Sequence, residues 1–292
     1  MYNFKNGKEL INICKEQDKK IWEVMLLREV KNSERSYEEI FDQMKDNVNT
    51  MLIAVEKGIN SDRKSISGLV GGDGKKLKER YLNDRTLSGK RTLKATAGAM
   101  AVLEVNASMG QIVAAPTAGS SGILPGVLYM IKDEFHVDDD TLVKALFTAS
   151  AIGFVIAKNA TVSGADGGCQ AETGSAAAMA AAALVEVEGG TPEEALNAAA
   201  MTIKNILGLV CDPIAGLVES PCVKRNAIGA TNALISADMA LAGIGSIIPF
   251  DEVVEAMYNV GKSMSPTLKE TALGGLAATP TGRRITKEIF GE

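Results

Sequence analysis

The sequence predicts an all-α protein: a single compact helical domain whose glycine-rich loops form a pocket. Three observations carry that expectation. Apolar residues recur at three- and four-residue steps through much of the chain. No segment sustains the apolar–polar alternation of a half-buried strand. Aromatic residues make up only 4% of the 292 residues, too few for a β-sandwich, while alanine and glycine are abundant and let helices pack backbone against backbone. The whole chain, 1–292, reads as one domain, with the more highly charged first 60 residues as a peripheral helical layer.

The helix signals follow in order along the chain. Cys14 falls within a charged N-terminal helix and reads as a packing residue. Ser36 with Glu39 makes a capping box. Behind it Phe41, Met44, Val48, Met51, Leu52 and Val55 form one apolar stripe, with Gly58 as the expected stop. Residues 91–108 and 141–157 are the next helices. Thr191-Pro192-Glu193-Glu194 is a second capping box with proline in the first turn, and its helix is expected to stop at Gly208. Residues 223–242 form a further helix. Asp251 is the expected cap of a last one through Val260, ended by Gly261.

Charge and composition exclude several classes. A net charge of −5 and a pI of about 5.2 favour neither a nucleic acid nor an acidic membrane surface as partner. The basic stretches Lys75–Lys78 and Arg283-Arg284 are short enough to be solvated surface. Met1–Lys8 is polar and lacks the apolar core of a signal peptide. The run 176–187 is mostly alanine, too short and weak to span a bilayer. The expectation is a soluble cytoplasmic protein with no nucleic-acid or membrane partner.

Three of the four cysteines, Cys169, Cys211 and Cys222, sit in glycine- or proline-containing breaks between helical segments. In a reducing compartment such cysteines point to metal or catalysis rather than disulfides. Three thiolates can hold zinc with one open position, or an iron–sulfur cluster with one iron unligated by protein. Tight Cys-x-x-Cys pairs are missing, and three unrelated cysteines fit the spacing equally well. The single histidine, His136, lies in a charged stretch and reads as a surface residue.

Three small-residue loops accompany the cysteines: 65–74, 115–122 and 163–168. The first has no Walker lysine–serine pair and follows no strand, so it reads as a tight connection or a small anion pocket rather than a nucleotide site. The second offers Thr117, Ser120 and Ser121 hydroxyls among residues small enough for a carboxylate to approach the backbone, with Asn106 and Ser108 just upstream. Ser120 or Ser121 serves equally as a helix cap.

The stretches SGLVGGDG (67–74), NASMGQIVAAPTAGSSGILP (106–125), GADGGCQAETG (164–174) and GLVCDPIAGLVESPCVKRNA (208–227) closely resemble the α subunit of the bacterial iron–sulfur-dependent L-serine dehydratases, and the likeness spans nearly the whole chain. That resemblance implies a lyase carrying a [4Fe-4S] cluster on Cys169, Cys211 and Cys222. It implies L-serine as substrate, pyruvate and ammonia as products, and a β subunit as partner in a heterodimer. Proton-transfer histidines in this family lie in a Ser-Ser-His-Thr type segment of the β chain, which is not found here, so the catalytic base is expected on the partner. Ser67, Asp73, Asn106, Thr117, Ser120 and Ser121 are the substrate-binding candidates, with Asp73 set against the substrate ammonium. A structural or electron-transfer iron–sulfur protein is the alternative, and it would need Cys14 as a fourth ligand. A pyridoxal-phosphate dehydratase would need an α/β scaffold that the helical pattern opposes.

Overall fold

The computed structural model describes residues 2–84 and 86–291; Met1 and Glu292, the ends of the expected 1–292 domain, and Arg85 lie outside the described residues. The chain is helical throughout, as expected, with no strand among the described residues and one isolated parallel bridge between Cys211 and Lys269. In order the α-helices are α1 (Gly7–Gln17), α2 (Ile21–Ser33), α3 (Tyr37–Ile59), α4 (Asp73–Leu82), α5 (Lys90–Ala107), α6 (Ile123–Phe135) and α7 (Asp139–Asn159). A single-turn helix α8 (Gly164–Gly167) follows, then α9 (Cys169–Val187), α10 (Pro192–Asn205), α11 (Cys222–Leu241), α12 (Phe250–Ser263) and α13 (Pro280–Phe290).

Both capping boxes form. Ser36 accepts from the Glu39 N–H and opens α3; Thr191 accepts from the Glu194 N–H and opens α10. The expected stops do not hold. Gly58 lies inside α3 and Gly261 inside α12, and α10 ends at Asn205, before Gly208. The two interior glycines permit close crossings instead: a Cβ on Gly58 would collide with the Ala101 carbonyl, and one on Gly261 would come 2.8 Å from Gly167 Cα. Asp251 does not cap its own helix, whose N-cap is Pro249. Its carboxylate accepts from the Gly7 and Lys8 N–H groups at 2.6 and 3.0 Å and so satisfies the free amides at the start of α1.

α9 is the central element. It packs against α6, α7, α10 and α11 and is buried on nearly every side. Its 176–183 stretch is alanine except for Met179, so its neighbours approach closely without a large side chain in the way. α5 forms a second centre, contacting α3, α4, α6 and α11. α7 is the one helix among the described residues long and apolar enough to cross a membrane; here Leu142, Leu146, Phe147, Ile152 and Ile156 are buried as part of the core. α2 and α3 pack on α7, and Leu10, Cys14, Ile21, Leu26 and Val48 join the same apolar cluster as α9. Burial pushes the Cys14 thiol up to about 12, with Glu186 and Glu193 adding to the effect, as for an inert packing residue.

Candidate active site

α9 and α11 pack against each other, and each begins with a cysteine: Cys169 and Cys222 are the first residues of their helices, not members of the preceding loops. Cys211 lies in the irregular connection between α10 and α11. Its N–H donates to Leu268 O (2.9 Å), and its carbonyl accepts from the Glu270 N–H (2.7 Å). All three thiols are free and buried.

Arg225, one turn into α11 from Cys222, links the three segments. Its guanidinium donates to Val210 O and Asp212 Oδ1, both at 2.7 Å, on either side of Cys211. It also faces Cys169. Burial pushes the Cys169 thiol up, while the Thr173 hydroxyl (3.0 Å) and Arg225 pull it down. Cys222 is raised to about 12, by burial first and then by the charge of Cys169. Cys211 is raised by burial and by the charges of Cys169, Glu270, Glu172 and Cys222. The three thiols are thus near enough to oppose one another's ionisation.

Among the described residues no group of three or more His, Cys, Asp or Glu side chains is gathered to ligate a metal ion. The candidate donors are three soft thiols on separate segments. That set suits an iron–sulfur cluster, whose thiolates bind different irons, better than a single hard cation. Gly164 leaves clearance before one of them: a Cβ there would lie 3.0 Å from Cys211 Sγ.

A polar wall adjoins the thiols. Glu172, one turn into α9 from Cys169, accepts a hydrogen bond from the Thr117 hydroxyl, and Ser120 Oγ lies 3.1 Å from Thr117 Oγ1. Gly119 lies against the Glu172 carboxylate, where a Cβ would be 2.6 Å from Oε1. Asn226 of α11 fixes this loop to the cysteines: it accepts from the Gly122 N–H (3.1 Å) and donates to Gly119 O (2.8 Å) and Cys222 O (2.9 Å). Burial raises the Glu172 carboxyl; Thr117 opposes that and the Glu270 charge adds to it.

The other candidates are placed differently. Ser121 is fully buried and donates to Ala118 O, closing a turn within the loop. Ser67 and Ser65 both donate to the buried carboxylate of Glu219, and Ser67, Asn106 and Glu219 line a separate groove of about 610 Å³ beside α13. Asp73 pairs with Lys76 (3.0 Å) and Lys224 (2.8 Å); burial raises its carboxyl, but these lysines outweigh that and hold it below the usual range. His136 is exposed at the end of α6. The structure therefore ties Thr117 and Ser120 to Glu172, one turn from Cys169, while Ser67 and Asp73 bond to Glu219 and Lys224, which flank Cys222 in sequence, and Asn106 lines the groove beside α13.

Sequence reasoning missed Glu172, Arg225, Asn226 and Glu270. Glu172 and Arg225 each follow a cysteine by one helical turn, a spacing visible once Cys169 and Cys222 are set at helix starts. Nothing local marks Glu270, which reaches the site through backbone pairing with Cys211.

Residues 16–277 match the family described as serine dehydratase alpha chain. The chain is 55% identical over 288 residues to the probable L-serine dehydratase alpha chain of Bacillus subtilis, covering 99% of this chain and 96% of that one. It is 49% identical over 286 residues to the L-serine dehydratase alpha chain of Peptoniphilus asaccharolyticus, covering 98% of each. The L-serine dehydratase of Streptomyces coelicolor is 40% identical over 285 residues, which are 94% of this chain but 61% of that longer protein. With a match over most of its length and two relatives near half-identical from end to end, the chain belongs to the serine dehydratase alpha chain family.

Proposed function

We propose that this chain is the catalytic α chain of a cytoplasmic iron–sulfur L-serine dehydratase, holding a [4Fe-4S] cluster on Cys169, Cys211 and Cys222 and working with a β chain. What supports the reading is that Cys169, Cys211 and Cys222 are free, buried thiols, that Arg225 of the Cys222 helix ties down the segment on either side of Cys211, and that Thr117 and Ser120 hydroxyls bond toward Glu172, one turn from Cys169. The cluster, when bound, supplies a Lewis-acidic iron that makes the serine hydroxide a better leaving group. The protein's own groups do the rest. The three cysteines hold the cluster. Arg225 fixes the Cys211 segment and offsets thiolate charge. The Thr117–Ser120 loop orients the substrate, with small residues allowing close backbone approach.

Elimination removes the Cα proton and the β-hydroxide, which leave together as one water. The aminoacrylate product tautomerises to an imine, and one water hydrolyses it to pyruvate and ammonia. The Cα proton needs a base. We place that base on the β chain, since His136 is exposed and away from the site. Two relatives are named as alpha chains, and the longer Streptomyces protein carries additional sequence in one chain; both support a second component.

The test is pyruvate formation from L-serine by the anaerobically purified two-chain enzyme, with iron and sulfide measured on the same samples. Cys169→Ser, Cys211→Ser and Cys222→Ser are each expected to lose both activity and cluster, because a hard hydroxyl is a poor iron ligand. Cys14→Ser is expected to keep both. Equal losses in all four variants would refute the assignment.

A further inference from the structure

An amino-acid substrate brings an ammonium group, and a buried ammonium needs a negative partner. Asp73 does not serve: Lys76 and Lys224 already neutralise it. Glu172 differs. No lysine or arginine among the described residues pairs with it, and the nearby cation Arg225 is committed to Asp212, Val210 O and the Cys169 thiol. Its largest perturbation is the burial that disfavours its charge, and the Glu270 carboxylate adds to it. An arriving cation would relieve both.

We propose that Glu172 is the residue that binds the substrate's ammonium group. This rests on the function proposed above and names the contact that selects an amino acid for it. The Thr117 hydroxyl occupies Oε1, and Gly119 lies flat against the carboxylate on one side, so the group is held in place. Oε2 is turned toward Gly164. The point where a Gly164 Cβ would stand is 3.0 Å from Cys211 Sγ, 3.3 Å from Glu172 Oε2 and 3.4 Å from Glu270 Oε2, so both carboxylates face it and Glu172 is the one held by Thr117 and Gly119. Serine's ammonium nitrogen and hydroxyl oxygen sit on adjacent carbons. A group that holds the ammonium while the hydroxyl leaves beside a cluster cysteine must therefore lie near that sulfur, and Glu172 Oε2 flanks the same point as Cys211 Sγ. Glycine at 119 and 164 is the local requirement: any side chain there would displace the carboxylate or close the gap.

The experiment uses the anaerobic two-chain enzyme with Glu172→Gln, an isostere that can still accept from Thr117 but carries no charge. Two quantities are read: the KM for L-serine, and inhibition by 3-hydroxypropanoate, which is serine without its ammonium group. The expected result is a rise of at least ~10-fold in serine KM, with 3-hydroxypropanoate inhibition and iron content unchanged, since a charge-assisted hydrogen bond is lost for one ligand only. Should Glu172→Gln fail to fold or load iron, Glu172→Asp decides. It keeps the charge but withdraws it, and is expected to raise serine KM without affecting 3-hydroxypropanoate. An unchanged serine KM, or equal weakening of both ligands, overturns the proposal while leaving the dehydratase reading intact. A wild-type enzyme that binds iron yet makes no pyruvate from serine overturns both.

Discussion

Arg225 donates on both sides of Cys211, and the carboxylate it meets at Asp212 is almost wholly buried, with 4% of its side chain exposed. Removing one partner of such a pair leaves a buried charge uncompensated, at a cost of about 3–5 kcal/mol. Arg225→Met is therefore expected to lower the urea midpoint of the cluster-free chain markedly, with Arg225→Lys recovering part of the loss; an unchanged midpoint in Arg225→Met would remove Arg225 from its linking role. Asp73 gives a pH signature. Its folded pKa lies below the unfolded value of 3.8, because Lys224 and Lys76 outweigh burial. The stability it contributes is thus fully present above about pH 3.8 and is lost as pH falls through the folded value. Asp73→Asn is expected to lower stability at neutral pH and to flatten the acid limb of the stability–pH curve. At this scale the sequence singles out the three cysteines by their glycine and proline neighbours, and the structure shows them as free, buried thiols. Glu172 and Arg225 were not singled out, because a charged residue on a helix most often faces solvent, and only tertiary placement shows that these two face inward.

The two capping-box starts were legible and the glycine stops were not, and the difference is physical. A capping box is closed by groups three residues apart, as Ser36–Glu39 and Thr191–Glu194 show. A glycine near a helix end serves two purposes that sequence cannot separate: a left-handed C-cap, or room for a crossing helix. Gly58 and Gly261 do the second. Asp251 shows the same confusion at an N-terminus, since the amides it caps belong to α1. The crossing argument is testable. In an exposed helix interior Gly→Ala stabilises by about 1 kcal/mol. Gly58→Ala is expected instead to destabilise, because its Cβ meets the Ala101 backbone. A gain in urea midpoint would show that α3 and α5 can separate without cost.

At the scale of the molecule, the site is assembled from parts distant in sequence: Thr117 and Ser120 before α6, Cys169 and Glu172 on α9, Cys211 in a connection, Cys222, Arg225 and Asn226 on α11, and Glu270 beyond α12. The all-α class was legible from period and composition, which are properties of the whole chain. The assembly was not, because it depends on α9 running through the centre with its N-terminus beside that of α11. Small residues make this possible: the alanines at 176–183 let α9 sit among four neighbours. One consequence is that cluster loading should couple to global stability. The loaded two-chain enzyme is expected to melt higher than the same protein stripped of iron, and Cys14→Ser should keep that difference while Cys211→Ser abolishes it. Equal melting temperatures with and without iron would place the metal outside the fold's core connections.

The central claim is that the three cysteines present one iron to serine. Mössbauer spectra of the ⁵⁷Fe-loaded, anaerobic two-chain enzyme, with and without L-serine, test it most directly. The account predicts that serine changes the signal of a single iron and leaves the others as they were. A spectrum unaltered by saturating serine, or no iron bound at all, would contradict it.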